Sequence, residues 1–135
     1  MLIYSQSAGT ISKDGVILIQ GCYAGRSPQD SEGRSIDFKG KNNPALQSVH
    51  NFGPLPQGQY TISPLHTVPH LGPCMALTPA PTNTMFGRSG FFIHLDNPAH
   101  IGQSSDGCIV AQNYGALQAL EDWRAQGEDQ LTVTA

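Results

Sequence analysis

Charge is scarce in this chain: Lys, Arg, Asp and Glu make up 13% of its 135 residues and leave a net −3. No basic stripe appears anywhere, so the electrostatic footprint of a nucleic-acid-binding surface is missing. Long apolar runs are missing too. The run Val16–Ile19 is only strand-sized, against the roughly 20 apolar residues that a membrane-spanning helix needs. Cysteine is confined to Cys22, Cys74 and Cys108, spaced too widely for the C-x-x-C of a redox or zinc motif. The odd number leaves at least one thiol free. The opening Met-Leu-Ile-Tyr-Ser-Gln lacks the basic start, apolar middle and small-residue cleavage site of a secretory leader. The expectation is a cytoplasmic protein, or one exported by a route that reads no N-terminal signal.

What the chain has instead is turn chemistry. Fifteen glycines and ten prolines exceed the average combined share of about 12%. With so little charge, this points to one mainly β domain over residues 1–135, a sandwich or partly closed barrel of short strands. At this length a core forms without help from disulfides or metals. Strands are expected over residues 2–4 and 16–23, after the Pro- and Gly-rich turn 53–58, over 75–77, over 91–93 up to His94, from Cys108 to Val110, and over 131–134. The stretch 24–45 reads as a long surface loop. The one helix is expected near 113–126, with Asn113 as N-cap, Leu117, Leu120, Trp123 and Arg124 on one face, and Gly127 as its stop.

Two residues carry the chemical argument. Acyl transfer through sulfur needs a thiolate, a base to generate it and donors for the oxyanion. His94 closes an apolar run and so falls at a strand end; Cys108 follows a glycine and opens another run. Neighbouring strands can bring the two together. Gly107 lets the backbone bend sharply enough to aim N–H groups at a substrate carbonyl, and losing one such donor costs about 2.7–4 kcal/mol of transition-state stabilisation. Ser105 and Asp106 can support that loop by bonding nearby backbone N–H groups, and Asp106 can alternatively orient His94. Against this stands the plainer fact that a cysteine before a strand is more commonly a small buried hydrophobe. Cys22 and Cys74 read as core residues, bridged only in an oxidising compartment. His94, His100 and Cys108 have no metal-ligand spacing, and no metal or organic cofactor is expected.

The segments Phe91-Phe92-Ile93-His94 and Ser105-Asp106-Gly107-Cys108-Ile109 resemble the L,D-transpeptidase (YkuD-like) superfamily, whose signature is a histidine, a spacer and Ser/Thr-x-Gly-Cys. Gly87–His94, the acidic Asp106 in place of a second histidine, and the Pro-x-Gly-x-Tyr turn within 53–60 make the closer resemblance to the type VI secretion L,D-transpeptidase effectors, antibacterial toxins that damage peptidoglycan. The likeness runs from about Tyr4 to Leu120. It implies Cys108 as nucleophile and His94 as base, with Ser105, Asp106 and Gly107 building the nucleophile loop. Arg88 and Asp96 fall at matched positions, with substrate binding implied for both: carboxylate recognition by Arg88, loop anchoring by Asp96. Leu95 replaces a glycine that often follows the histidine, which leaves a backbone carbonyl, Asp96 or Asp106 as third member of the triad.

The implied reaction is attack on the L-centre of diaminopimelate in a tetrapeptide stem, with loss of D-alanine. Water, a free D-amino acid or a second stem then resolves the thioester. The implied partners are peptidoglycan stems, the type VI apparatus and a periplasmic immunity protein, with action in the target periplasm. Two rivals remain at this stage. In papain-like cell-wall amidases the cysteine precedes the histidine, the reverse of the order here. A peptidoglycan-binding module would keep the fold without the chemistry.

Overall fold

Short strands in which every second residue is apolar give a sheet one buried face. Leu2 and Tyr4, Tyr60 and Ile62, Phe91 and Ile93, and Leu131 and Val133 all enter a single core. The computed structural model describes residues 1–27 and 39–135. Among them it has the strands β1 (Leu2–Ser5), β2 (Thr10–Lys13), β3 (Val16–Ile19), β4 (Tyr23–Ala24) and β5 (Gly58–Ile62). There follow β6 (His66–Val68), β7 (Gly72–Pro79), β8 (Phe91–Leu95), β9 (Ile109–Ala111) and β10 (Gln130–Thr134), with one α-helix, α1 (Tyr114–Ala125).

All these strands join one sheet in the order β3-β2-β1-β10-β5-β7-β8-β9-β4, with β6 also paired to β7. The β1/β10 and β8/β9 pairs are parallel. The sheet is not closed into a barrel, yet it curls, because only Gln20-Gly21-Cys22 separates its two edge strands, β3 and β4, along the chain. A hydrogen bond from Cys22 N–H to the Gly9 carbonyl (3.0 Å) ties that crossing to the β1–β2 turn. The architecture is thus mainly β, as expected, built on one sheet not closed into a barrel, with its helix near the C-terminus.

Helix α1 starts where the sequence placed it. The Asn113 side chain accepts the Ala116 N–H (3.0 Å), and Leu117 and Leu120 are fully buried over β7, β8 and β9. Such burial stabilises by about 1.5–3 kcal/mol per leucine. Three strand readings need correction. The expected strand 16–23 is two strands on opposite edges, because Gly21 takes φ +71° and turns the chain. The strands β2 and β6 are additional, and β7 runs well past 75–77 at both ends. In addition, β5 and β6 lie along one side of β7, parted at Ser63-Pro64. Proline cannot donate to the ladder, and the Ser63 hydroxyl takes up the Ala76 N–H there (2.7 Å). Of the expected loop 24–45, residues 28–38 lie outside the described residues; beyond them Asn43 caps a 3₁₀ turn at Pro44–Leu46.

Candidate active site

The parallel pairing of β8 with β9 sets Ile93 beside Ile109 and His94 beside Val110. Ile93 and Ile109 face the core, so alternation sends His94 to the other face of the sheet, where Cys74 stands opposite it on β7. Cys108 immediately precedes β9, and its Sγ accepts the Phe92 N–H at 3.3 Å. Cys108 and His94 open on one cavity of about 440 Å³, walled also by His50, Asn51, Leu71, Arg88, Phe92 and Asp106. A second hollow of about 430 Å³, bounded by His70, Asn97, His100 and Gln103, shares His94, Leu71, Ser104 and Asp106 with the first. The two form a groove with two lobes that meet at His94. Its walls come from residues 50–51, 70–71, 87–92 and 96–104. No described residue of the 24–45 loop takes part.

His94 is 3% exposed, and its Nδ1 lies 2.8 Å from the Leu95 carbonyl oxygen. A carbonyl only accepts, so Nδ1 carries a proton, and in that tautomer the lone pair lies on Nε2. Of the three alternatives for the third triad member, this bond goes to a backbone carbonyl, contributed by Leu95. No hydrogen bond joins His94 to Cys108 in this resting arrangement. The Cys108 thiol is pushed up to about 11, chiefly by burial, with the Asp106 charge adding to the rise and the Phe92 N–H and the Arg88 charge opposing it. Sulfur therefore rests as a thiol and needs a base to react.

The loop 105–108 is tightly bonded. The Ser105 hydroxyl is fully buried; it donates to the Cys108 carbonyl (2.6 Å) and accepts the N–H groups of Gly25 (2.9 Å) and Gly107 (3.0 Å). The Gly107 carbonyl accepts from Leu55 N–H (2.9 Å). Gly107 holds φ +136°, and a Cβ there would stand 2.6 Å from both Arg88 Nη2 and the Phe91 ring, so only glycine fits.

Asp106 lines both lobes, but its carboxylate pairs with Arg26 Nε (3.3 Å) and makes no bond to His94. The expectation that Asp106 orients the histidine is corrected accordingly. Arg88 is 6% exposed, with its guanidinium bonded to four backbone carbonyls; that geometry does not present it as an open carboxylate receptor. Asp96 accepts from Tyr23 Oη (2.7 Å), Gly102 N–H (3.0 Å) and the Ser104 hydroxyl, closing the loop 96–104. Burial works to raise its carboxyl, and these bonds outweigh it and hold the group below the usual value. Among the described residues no group of three or more His, Cys, Asp and Glu is placed to hold a metal ion.

Sequence reasoning missed the Phe92 N–H and the wall residues His50, His70 and Leu71, and it left open which residue supplies the backbone carbonyl. The backbone groups carry no residue signature. The wall residues reach the groove only through strand order.

A family model described as the Tlde1 domain matches residues 35–134. No curated protein and no solved structure matches the chain.

Proposed function

Since the chain belongs to the Tlde1 domain family, type VI secretion effectors with L,D-transpeptidase activity on peptidoglycan in the target periplasm, we propose that it works as a cysteine enzyme with Cys108 as nucleophile and His94 as base. One observation carries this reading: a groove onto which both the Cys108 sulfur and a histidine with its Nδ1 proton fixed on Leu95 O open.

The residues then act in sequence. His94 Nε2 takes the Sγ proton as sulfur attacks the stem-peptide carbonyl at the L-centre of diaminopimelate. The bond from Nδ1–H to Leu95 O supports the imidazolium that forms. The carbonyl electron pair moves onto oxygen, where the N–H groups of Phe92 and Cys108, both at the sulfur, are the available donors. Collapse breaks the amide C–N bond, and His94 gives its proton to the departing amine of D-alanine. The thioester is resolved by water, by the amine of a free D-amino acid or by a second stem, with His94 again accepting the proton. Hydrolysis or exchange removes the donors of cross-linking, which suits a toxin. A producing cell would hold a periplasmic immunity protein that covers the groove.

The test mixes purified protein with tetrapeptide muropeptides and follows D-alanine by mass spectrometry. Release by wild type, absent in Cys108→Ala, is the expected result. A wild type no better than Cys108→Ala would return the chain to the reading of a binding module without chemistry.

A further inference from the structure

Arg88 leaves a tight turn in which Phe86 and Gly87 both have positive φ, and its side chain runs inward rather than toward solvent. Nη1 donates to the carbonyls of Gln47 and Pro54 (2.7 Å for the latter), and Nη2 to those of Gly53 (2.8 Å) and Asp106 (2.9 Å). Three of these acceptors belong to the 47–54 segment and the fourth to the nucleophile loop. The same segment is locked from its other side. Buried Gln6 donates to the Leu55 carbonyl (2.9 Å), and Gln47 Oε1 accepts the Gln57 N–H (2.8 Å).

The consequence is geometric. In a trans peptide the N–H points opposite to the C=O, and no peptide bond among the described residues is cis. Arg88 fixes the Asp106 carbonyl, which turns the Gly107 N–H onto Ser105. Leu55 N–H fixes the Gly107 carbonyl, which turns the Cys108 N–H away from Leu55 and toward the sulfur. A planar fork suits this task as an ammonium does not, since its donors are spread in a fixed plane.

We propose that Arg88 is a positioning residue: its four-carbonyl grip clamps the nucleophile loop to the 47–54 segment and so aims the Cys108 N–H into the groove, in place of binding a substrate carboxylate. The role rests on Cys108 being the nucleophile, so it needs one readout of activity and one independent of it. Arg88→Lys keeps the charge but cannot span four carbonyls. Its kcat for D-alanine release should fall about 100-fold with KM within twofold. Backbone amide exchange at Leu55 and Gly107 should quicken at least tenfold, while the amides of β1 and β10 keep their protection. A raised KM with kcat intact would assign Arg88 to substrate and overturn the proposal; so would unchanged exchange at Leu55 and Gly107. In wild type alone, without any variant, those two amides should exchange as slowly as the amides of β8, and fast exchange would also refute the clamp. If wild type releases no D-alanine, the reading of activity fails while the exchange data still decide the clamp.

Discussion

Two thiol–imidazole neighbours share this sheet. Cys74 Sγ lies 3.8 Å from His66 Nε2, and His66 Nδ1 lies 2.8 Å from the Pro64 carbonyl, the same tautomer lock that Leu95 imposes on His94. Judged by proximity alone, Cys74 is the better paired cysteine. Burial raises both thiols above the ordinary value. The difference lies in surroundings: Cys74 is 0% exposed in the middle of β7 and bounds neither lobe of the groove. Cys108 opens on the groove at a strand start, behind a glycine at positive φ, with the Phe92 N–H aimed at its sulfur. Access and preorganised donors, more than a nearby imidazole, are what favour Cys108 over Cys74 as the proposed nucleophile.

Substitution should separate the pairs most sharply. Cys108→Ala is expected to abolish D-alanine release and His94→Ala to lower it by about 10²–10⁴-fold, the usual contribution of a general base. Cys74→Ala and His66→Ala should stay within about threefold, with Cys74→Ala costing on the order of 1 kcal/mol in urea melts. Equal losses from the two pairs would erase the distinction.

Alkylation gives the next largest contrast. In folded protein, iodoacetamide should label Cys108 at a rate that keeps rising with pH toward about 11, the value at which burial places its thiol, while buried Cys22 and Cys74 label only on unfolding. A plateau below pH 8 would mean a preformed thiolate and contradict the role given to His94 as base.

The smallest effect concerns the groove wall. The Asp96 carboxyl is held below its usual 3.8 in the folded chain, so its contribution to stability is complete above about pH 4 and is lost as pH falls through the lowered value. Acid should therefore loosen the 96–104 loop next to His94 before it disturbs His66 and Cys74. Asp96→Asn should remove that pH dependence of amide exchange in the loop.

Much of this was legible from the residues. Alternation in 131–134 and the Asn113-to-Gly127 helix signal are local, and local patterns survive folding. The need for a glycine before Cys108 was legible as a sharp bend, and Gly107 does take positive φ with no room for a Cβ. The split of 16–23 into opposite edges was hidden, since a β-branched run looks the same whether the chain continues straight or turns at Gly21. The surroundings of Arg88 were hidden for a related reason. A guanidinium binds carboxylates and backbone carbonyls with the same donors, and only the fold reveals which acceptors surround it. Asp106 stands two residues from Cys108, yet its side chain turns to Arg26, a direction that spacing does not encode.

The most direct test of the account is to find where the acyl group travels. Wild-type protein mixed with tetrapeptide muropeptide, quenched in acid within one turnover and digested, should carry a stem-peptide mass, less D-alanine, on the peptide that contains Cys108. D-Alanine release accompanied by an adduct on Cys74 or Cys22, or by none on any cysteine under these conditions, would contradict it.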